Sequence, residues 1–199
     1  QRAGLLEKSL LSLGDVHEHL VYVDDDDPEL EEYRKLEIPK MKLTVGERHN
    51  YWALQNYYNE LASQATGDWL MLWNDDCILH AGKDWMDGLS GLDPSRPAVI
   101  NLHEPGNNWF PLISKGFYKA LGHYSQSPHN DSWVMEIANA VGIHHERCDL
   151  VEIEHLRDSG LNDETAKNSA RIAPETGRVH SGMRAKEMRE DIEKLQGVI

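Results

Sequence analysis

Cysteine is scarce in this chain: Cys77 and Cys148 are the only two in 199 residues. A disulfide framework is therefore not expected to organise the fold, and a reducing, cytoplasmic setting is. Long apolar runs are missing as well. None approaches the ~20 residues that cross a bilayer, so no membrane contact is expected, and no signal-peptide pattern opens the chain. Basic residues are few, with 20 Lys and Arg against 34 Asp and Glu, a formal net charge of −14. That balance disfavours broad binding to a phosphate backbone, which relies on Lys and Arg, but leaves room for a local basic groove. The sequence starts at Gln1 rather than Met, so a preceding segment is expected. There is no internal repeat.

What is present suits one globular domain with a real core. Hydrophobic residues make up 40 % and charged residues 27 %, ordinary proportions for such a domain. The richest stretch is Gly67-Asp68-Trp69-Leu70-Met71-Leu72-Trp73-Asn74-Asp75-Asp76. A short apolar strand there delivers two adjacent carboxylates to its C-terminal end, where α/β proteins bind ligands. No Lys or Arg stands nearby in sequence, so these carboxylates suit a hard divalent cation carrying phosphate oxygens. A second apolar strand, residues 19–23, runs into Asp24-Asp25-Asp26-Asp27.

Periodicity and punctuation order the remaining elements. Leu6, Leu10 and Leu13 predict a helix over 3–13, stopped by Gly14. Asp27 and Pro28 read as the cap and first position of a helix reaching about Leu36. Residues 40–45 read as a half-buried strand and 50–65 as one long aromatic-rich helix, with Trp52, Tyr57 and Tyr58 as packing and surface. Strands follow at 68–73, 98–102 and 150–154, and helices at 83–92, 114–121 and 131–141. His144-His145-Glu146 reads as surface. Residues 156–182 read as a long polar loop, a lid candidate. Met188, Ile192 and Leu195 mark an amphipathic C-terminal helix over 183–199, which packs on the domain or forms a homodimer. Alternating strands and helices predict an α/β fold with a mostly parallel sheet flanked by helices.

Taken in chain order, these segments resemble a GT-A-fold (Rossmann-like) nucleotide-sugar glycosyltransferase of the large family-2 group. Arg2 with Leu5-Leu6 through Leu13 is similar to the helix after that family's first strand, which here would precede Gln1. Val21-Tyr22-Val23-Asp24-Asp25 resembles the nucleotide-binding second strand. Asn59, Ala65, Gly67 and Asp68 resemble a helix-to-strand step, and Asn74-Asp75-Asp76 falls at the Asp-x-Asp metal motif. Residues 112–122 resemble the acceptor-side segment. His129-Asn130-Asp131 falls at the Glu-Asp pair, and His155 at a further metal position. Residues 1–160 carry the resemblance. Asn74 and Asn130 depart from it, each replacing an acid.

The resemblance implies transfer of a sugar from a nucleotide-sugar, a UDP-sugar first, to an acceptor hydroxyl. Asp76 and His155 would hold Mn²⁺ or Mg²⁺, which neutralises the departing diphosphate. Asp131 would be the general base. Arg2, Asp24, Asp26, Arg48, Asn59, Asp75 and Arg157 would meet the nucleotide-sugar, with Lys167 and Arg171 in the lid. Trp109 and Asn130 would meet the acceptor, a saccharide or, as in similar phage-encoded enzymes, a hydroxymethylated DNA base. Plainer readings stand beside these. Asp75-Asp76 is also a solvated turn, Asp27 a helix cap, and Asn130, Asp131 and Ser132 are all plausible caps. Two other functions fit the same features: a sugar-nucleotide nucleotidyltransferase, and a non-catalytic nucleotide- or glycan-binding module.

Overall fold

The computed structural model describes residues 2–82, 84–103, 110–156 and 184–199, and the description below is of these. The architecture is mixed α/β. Helix α1 (Arg2–Ser12) buries Ala3, Leu6, Ser9 and Leu10 along one face, the stripe expected of an amphipathic helix. Strand β1 (His19–Asp24) alternates buried and half-buried residues. It pairs in parallel with β2 (Met41–Gly46), His19 opposite Met41 and Asp24 opposite Gly46. The short helix α2 (Leu30–Arg34) lies between them in sequence and starts later than its sequence suggests. Asp27 Oδ1 accepts from Glu29 N at 2.8 Å, so its side chain closes the turn rather than capping α2 directly.

The expected helix over 50–65 is two pieces. A 3-10 turn (Tyr51–Ala53) is capped by Asn50, whose side chain accepts from Trp52 N, and α3 (Leu54–Gln64) follows. Strand β3 (Trp69–Met71) comes next, then β4 (Cys77–Ala81), which the sequence reading did not contain. The expected helix over 83–92 is a 3-10 segment, Trp85–Leu89. Strands β5 (Val99–Asn101) and β6 (Leu112–Ser114) are wholly buried. Helix α4 (Lys115–Leu121) is capped by Ser114, which accepts from Phe117 N, and ends at Gly122 with φ 79°, a left-handed conformation that glycine adopts without steric cost. Helix α5 (Asn130–Val141), strands β7 (His144–Glu146) and β8 (Val151–His155), and helix α6 (Ala185–Gln196) complete the order.

One mostly parallel sheet is not what these strands build. The ladders β1–β2 and β5–β7 are parallel, whereas β3–β6, β5–β6 and β4–β8 are antiparallel. They form a four-stranded sheet of order β3-β6-β5-β7 and two separate pairs, β1-β2 and β4-β8. A parallel connection needs a crossover of about a dozen residues. Helix α2 supplies one between β1 and β2. Only the turn through Asp76 separates β3 from β4, too short for a crossover, so β4 joins a different ladder.

The core gathers where α4 and α5 pack on the four-stranded sheet, around Ile100, Ile113, Phe117, Trp133 and Ile137, all fully buried. Helix α6 packs on α4 and α5. Of the two uses expected for its apolar face, packing on the domain is the one observed, with Leu195 buried completely. Asp191 is buried there too, held by His123 Nε2 at 3.2 Å and by the Gln126 amide at 3.1 Å. Among the described residues, no helix is long and apolar enough to cross a membrane. The lid residues 157–182, with Arg157, Lys167 and Arg171, and Trp109 at the acceptor, lie outside the described residues.

Glu18 ties β2 to the segment that leads into β3. One carboxylate oxygen accepts from Thr66 N at 2.6 Å and Thr66 Oγ1 at 2.9 Å, ahead of β3, and the other from Lys42 Nζ on β2 at 2.5 Å. Burial alone would raise its pKa, but the bonds from Lys42 and Thr66 bring it down from 4.5 to about 2. A folded-state pKa below the unfolded one stabilises the fold above pH 4.5, and the stabilisation is lost as pH falls toward 2. Denaturant unfolding of wild type is expected to weaken steeply across that window. Glu18→Gln should start less stable at pH 7 and show a flatter acid limb.

Candidate functional site

The β4–β8 ladder assembles the most concentrated chemistry of the described chain. Its register sets Cys77 opposite His155, with Leu79 opposite Ile153. Leu156 N donates to Asp76 O at 2.8 Å and carries the pairing one step further. His155 Nε2 thus comes to 3.5 Å from Asp76 Oδ1, and the Cys77 thiol lies 3.7 Å from the same oxygen. Ligand atoms of Asp76, Cys77 and His155 all fall within 4.8 Å of one another. Cys77 is fully buried at the back, while the side chains of Asp76 and His155 are 26 % and 17 % exposed at the mouth. The group is therefore open to solvent on one side.

Helix α1 holds the turn that carries these acids. Ser9, fully buried, donates from Oγ to Asn74 O at 2.9 Å and accepts from Trp73 Nε1 at 2.8 Å. Ser12 Oγ accepts from Leu79 N at 2.9 Å. Arg2 grips Asp75 with one nitrogen at 2.8 and 3.1 Å from its two oxygens. Partial burial of this guanidinium would lower its pKa, yet the Asp75 charge and hydrogen bond and the Asp76 charge raise it overall. Asp75 and Arg2, both expected at the donor, are thus each other's partners, and Asp76 is the acid that faces His155.

The first acidic turn is paired as well. Arg48 reaches Asp24 at 3.1 Å and Asp26 at 2.8 Å. Tyr57 donates to Asp24 Oδ1 at 2.7 Å and accepts from His49 N at 2.6 Å. Burial, then the bond to Asp24, push the Tyr57 phenol up to about 12. The rings of Tyr22 and His49 pack edge-on against Tyr57, with centroids 4.7 and 4.8 Å away. Tyr22 crosses Gly46, where a Cβ would stand 2.1 Å from its hydroxyl oxygen. Glu29 accepts from Ala3 N at 3.1 Å, so it serves the start of α1. Burial, then the charges of Asp27, Asp75 and Glu29, push the Tyr33 phenol up to about 12. Both acidic turns therefore border the N-terminal end of α1.

Asp131 sits in the first turn of α5, and His129 is the capping position without a side-chain cap bond. The Asp131 carboxylate accepts from Ser132 N at 2.7 Å. Its charge acts on the hydroxyls of Tyr51 and Tyr58, whose pKa values are raised first by burial and then by Asp131. Tyr58 also feels the charges of Asp75 and Cys77, and its ring packs on Tyr124 with centroids 6.2 Å apart. Asn130 is 4 % exposed, and its amide donates to Pro128 O at 3.1 Å. Its buried Oδ1 has no hydrogen-bond partner among the described residues. Asn59 is a strut: its Oδ1 accepts from Tyr124 N and Ser125 N at 2.8 and 3.0 Å, and its Nδ2 donates to Ser125 O at 2.8 Å. Both ends of the amide thus hold the Tyr124–Ser125 segment in place.

Cys77, Ser9, Tyr57 and Tyr58 were not singled out for the site by sequence. Cys77 carried a usable signal, since Cys77-Ile78-Leu79 is apolar directly after the acidic turn. Ser9 carried none, because its role depends on where α1 lands. Comparison of the chain with protein-family models, with curated proteins and with solved structures finds no match.

Ser9→Ala removes the shared partner of the Trp73 indole and the Asn74 carbonyl. Unsatisfied buried groups cost about 1–3 kcal/mol, so thermal unfolding should drop by several degrees. Differential scanning calorimetry on the same variant checks this.

Proposed function

We propose that the chain is a metal-dependent glycosyltransferase moving a sugar from a nucleotide-sugar, a UDP-sugar first, to an acceptor hydroxyl, on a GT-A-like frame. The observation that supports it is the approach of Asp76 to His155 at 3.5 Å. The resemblance assigns a metal to those two positions, and the β4–β8 register brings them together. The donor set fits such an ion: a carboxylate oxygen suits Mn²⁺ and Mg²⁺, and an imidazole shifts the preference toward Mn²⁺. When bound, the ion would stabilise charge on the departing diphosphate.

The chain's own residues do the rest. Asp24, at the end of β1, orients the nucleotide through its carboxylate, for which Arg48 must give up one of its two partners. Arg2, paired with Asp75, would meet a diphosphate lying at that turn. Asp131 takes the proton from the acceptor hydroxyl as that oxygen bonds to the anomeric carbon and the bond to the diphosphate breaks. The charge of Asp131 acts on the phenols of Tyr51 and Tyr58. A saccharide acceptor suits the net charge of −14 better than DNA does. One observation favours the non-catalytic module as a second reading: Arg2 and Arg48 already neutralise Asp75, Asp24 and Asp26.

The test is UDP release from a panel of UDP-sugars, with and without Mn²⁺. Wild type should turn over only with the ion. Asp76→Asn should lose about 100-fold or more, a share of the several kcal/mol a Lewis acid supplies. Asp131→Asn should lower transfer to acceptor by about 10²–10⁴-fold with UDP affinity unchanged. Tight UDP binding with no turnover on any acceptor would select the module, and no nucleotide binding at all would sink the transferase reading.

A further inference from the structure

The thiol of Cys77 does not belong with a hard cation. Mg²⁺ and Mn²⁺ favour oxygen donors, whereas thiolate and imidazole together select zinc-like ions. We infer that Asp76, Cys77 and His155 form a three-donor site for a thiophilic divalent ion of the zinc class. This rests on the reading of Asp76 and His155 as metal ligands, but not on glycosyl transfer.

The spacing supports it. In tetrahedral zinc sites the bonds are about 2.3 Å to sulfur and about 2.0–2.2 Å to nitrogen and oxygen; tetrahedral angles then separate N and O by about 3.4 Å, and S and O by about 3.6 Å. The corresponding separations here are 3.5 Å for His155 Nε2 to Asp76 Oδ1 and 3.7 Å for Cys77 Sγ to the same oxygen. Both match edges of such a tetrahedron. The first is also longer than the about 2.7–2.9 Å of a charge-assisted N–H···O bond, so it is not simply a tight ion pair. The ligand atoms of all three residues lie within 4.8 Å of one another, close enough for small side-chain rotations to bring them onto one ion.

The arrangement also fits an open rather than a closed site. Three protein donors leave one tetrahedral position for water or a substrate oxygen, and the partly exposed Asp76 and His155 put that position on the solvent side. The buried thiol fixes a vertex on the protein side. Pairing of Cys77 with His155 across the ladder pre-positions two of the donors before any ion arrives. On binding, the Cys77 S–H bond breaks, its proton passes to bulk water, and a sulfur–metal bond forms. Nothing is oxidised or reduced. An ion held by three donors will displace Mn²⁺ held by two, so Zn²⁺ should act as an inhibitor of Mn²⁺-supported turnover.

Cobalt is the probe, since Co²⁺ occupies zinc sites and reports thiolate bonding by a near-ultraviolet charge-transfer band. The full chain, reduced and free of chelators, is titrated with Co²⁺ and then Zn²⁺. Wild type should develop the band at one equivalent, and Zn²⁺ should abolish it. Cys148→Ser should keep the band and Cys77→Ser should lose it. In calorimetry, Cys77→Ser should bind Zn²⁺ at least about tenfold more weakly, since loss of even an outer-shell partner costs 10–100-fold, while Mn²⁺ binding stays nearly unchanged. Should Cys77→Ser fail to fold by circular dichroism, His155→Ala decides, with a band shifted and weakened on a folded protein. Absence of the band in wild type, its survival in Cys77→Ser, or an unaltered band in His155→Ala would overturn the proposal. A band without UDP-sugar turnover would leave this site standing and remove the transferase reading instead.

Discussion

The antiparallel register of β4 against β8 is the constraint on which the candidate site depends. Cys77 faces His155 and Leu79 faces Ile153 in the same ladder. A slip of one residue would send His155 to the opposite face, because side chains alternate along a strand. The slip is opposed by burial: Cys77, Leu79 and Ile153 are all buried, and exposing them would cost about 25 cal/mol for each Å² of apolar surface returned to water. Packing of β4 against α1, sealed by Ser12 at Leu79 N, adds a second lock. A hydrophobic register thereby sets the distance between a carboxylate and an imidazole that are far apart in sequence.

Electrostatics follow from the same convergence. The chain is strongly acidic, yet the acids that matter most are paired with cations supplied from elsewhere in the chain. Arg2 meets Asp75, Arg48 meets Asp24 and Asp26, and Lys42 meets Glu18. The first two pairs are partly exposed and contribute little stability individually. Their larger effect is on the field around the N-terminal end of α1. Two acidic turns and Glu29 border it, where the helix dipole favours negative charge. Asp76 differs from its neighbours in lying against an imidazole and a thiol, with the Arg2 charge acting on it without an ion-pair contact.

Much of the local structure was legible. Leu6, Leu10 and Leu13 marked α1, the alternation in residues 19–23 marked β1, and the glycines at 122 and 142 marked the ends of α4 and α5. The short strands β4, β6 and β7 were not read, since three to five residues hold too little periodicity to separate strand from loop. Sheet direction was misread as mostly parallel because alternation of strands and helices says nothing of which ladder each short strand joins. At the site, Asp76 and His155 could be named one at a time. The hydrogen bonds of Asn59 were not legible, because an amide's partners are chosen by the loop that packs beside it, here Tyr124 and Ser125.

By itself the sequence determined which stretches are apolar, where helices stop, and that acids collect at strand ends. These are properties of neighbouring residues and survive without a fold. Only the tertiary structure decided which acids are neutralised and which remain available, and that Cys77 stands with Asp76 and His155. Those outcomes depend on pairing between distant segments, and pairing is set by burial of the whole ladder rather than by any residue's nearest neighbours.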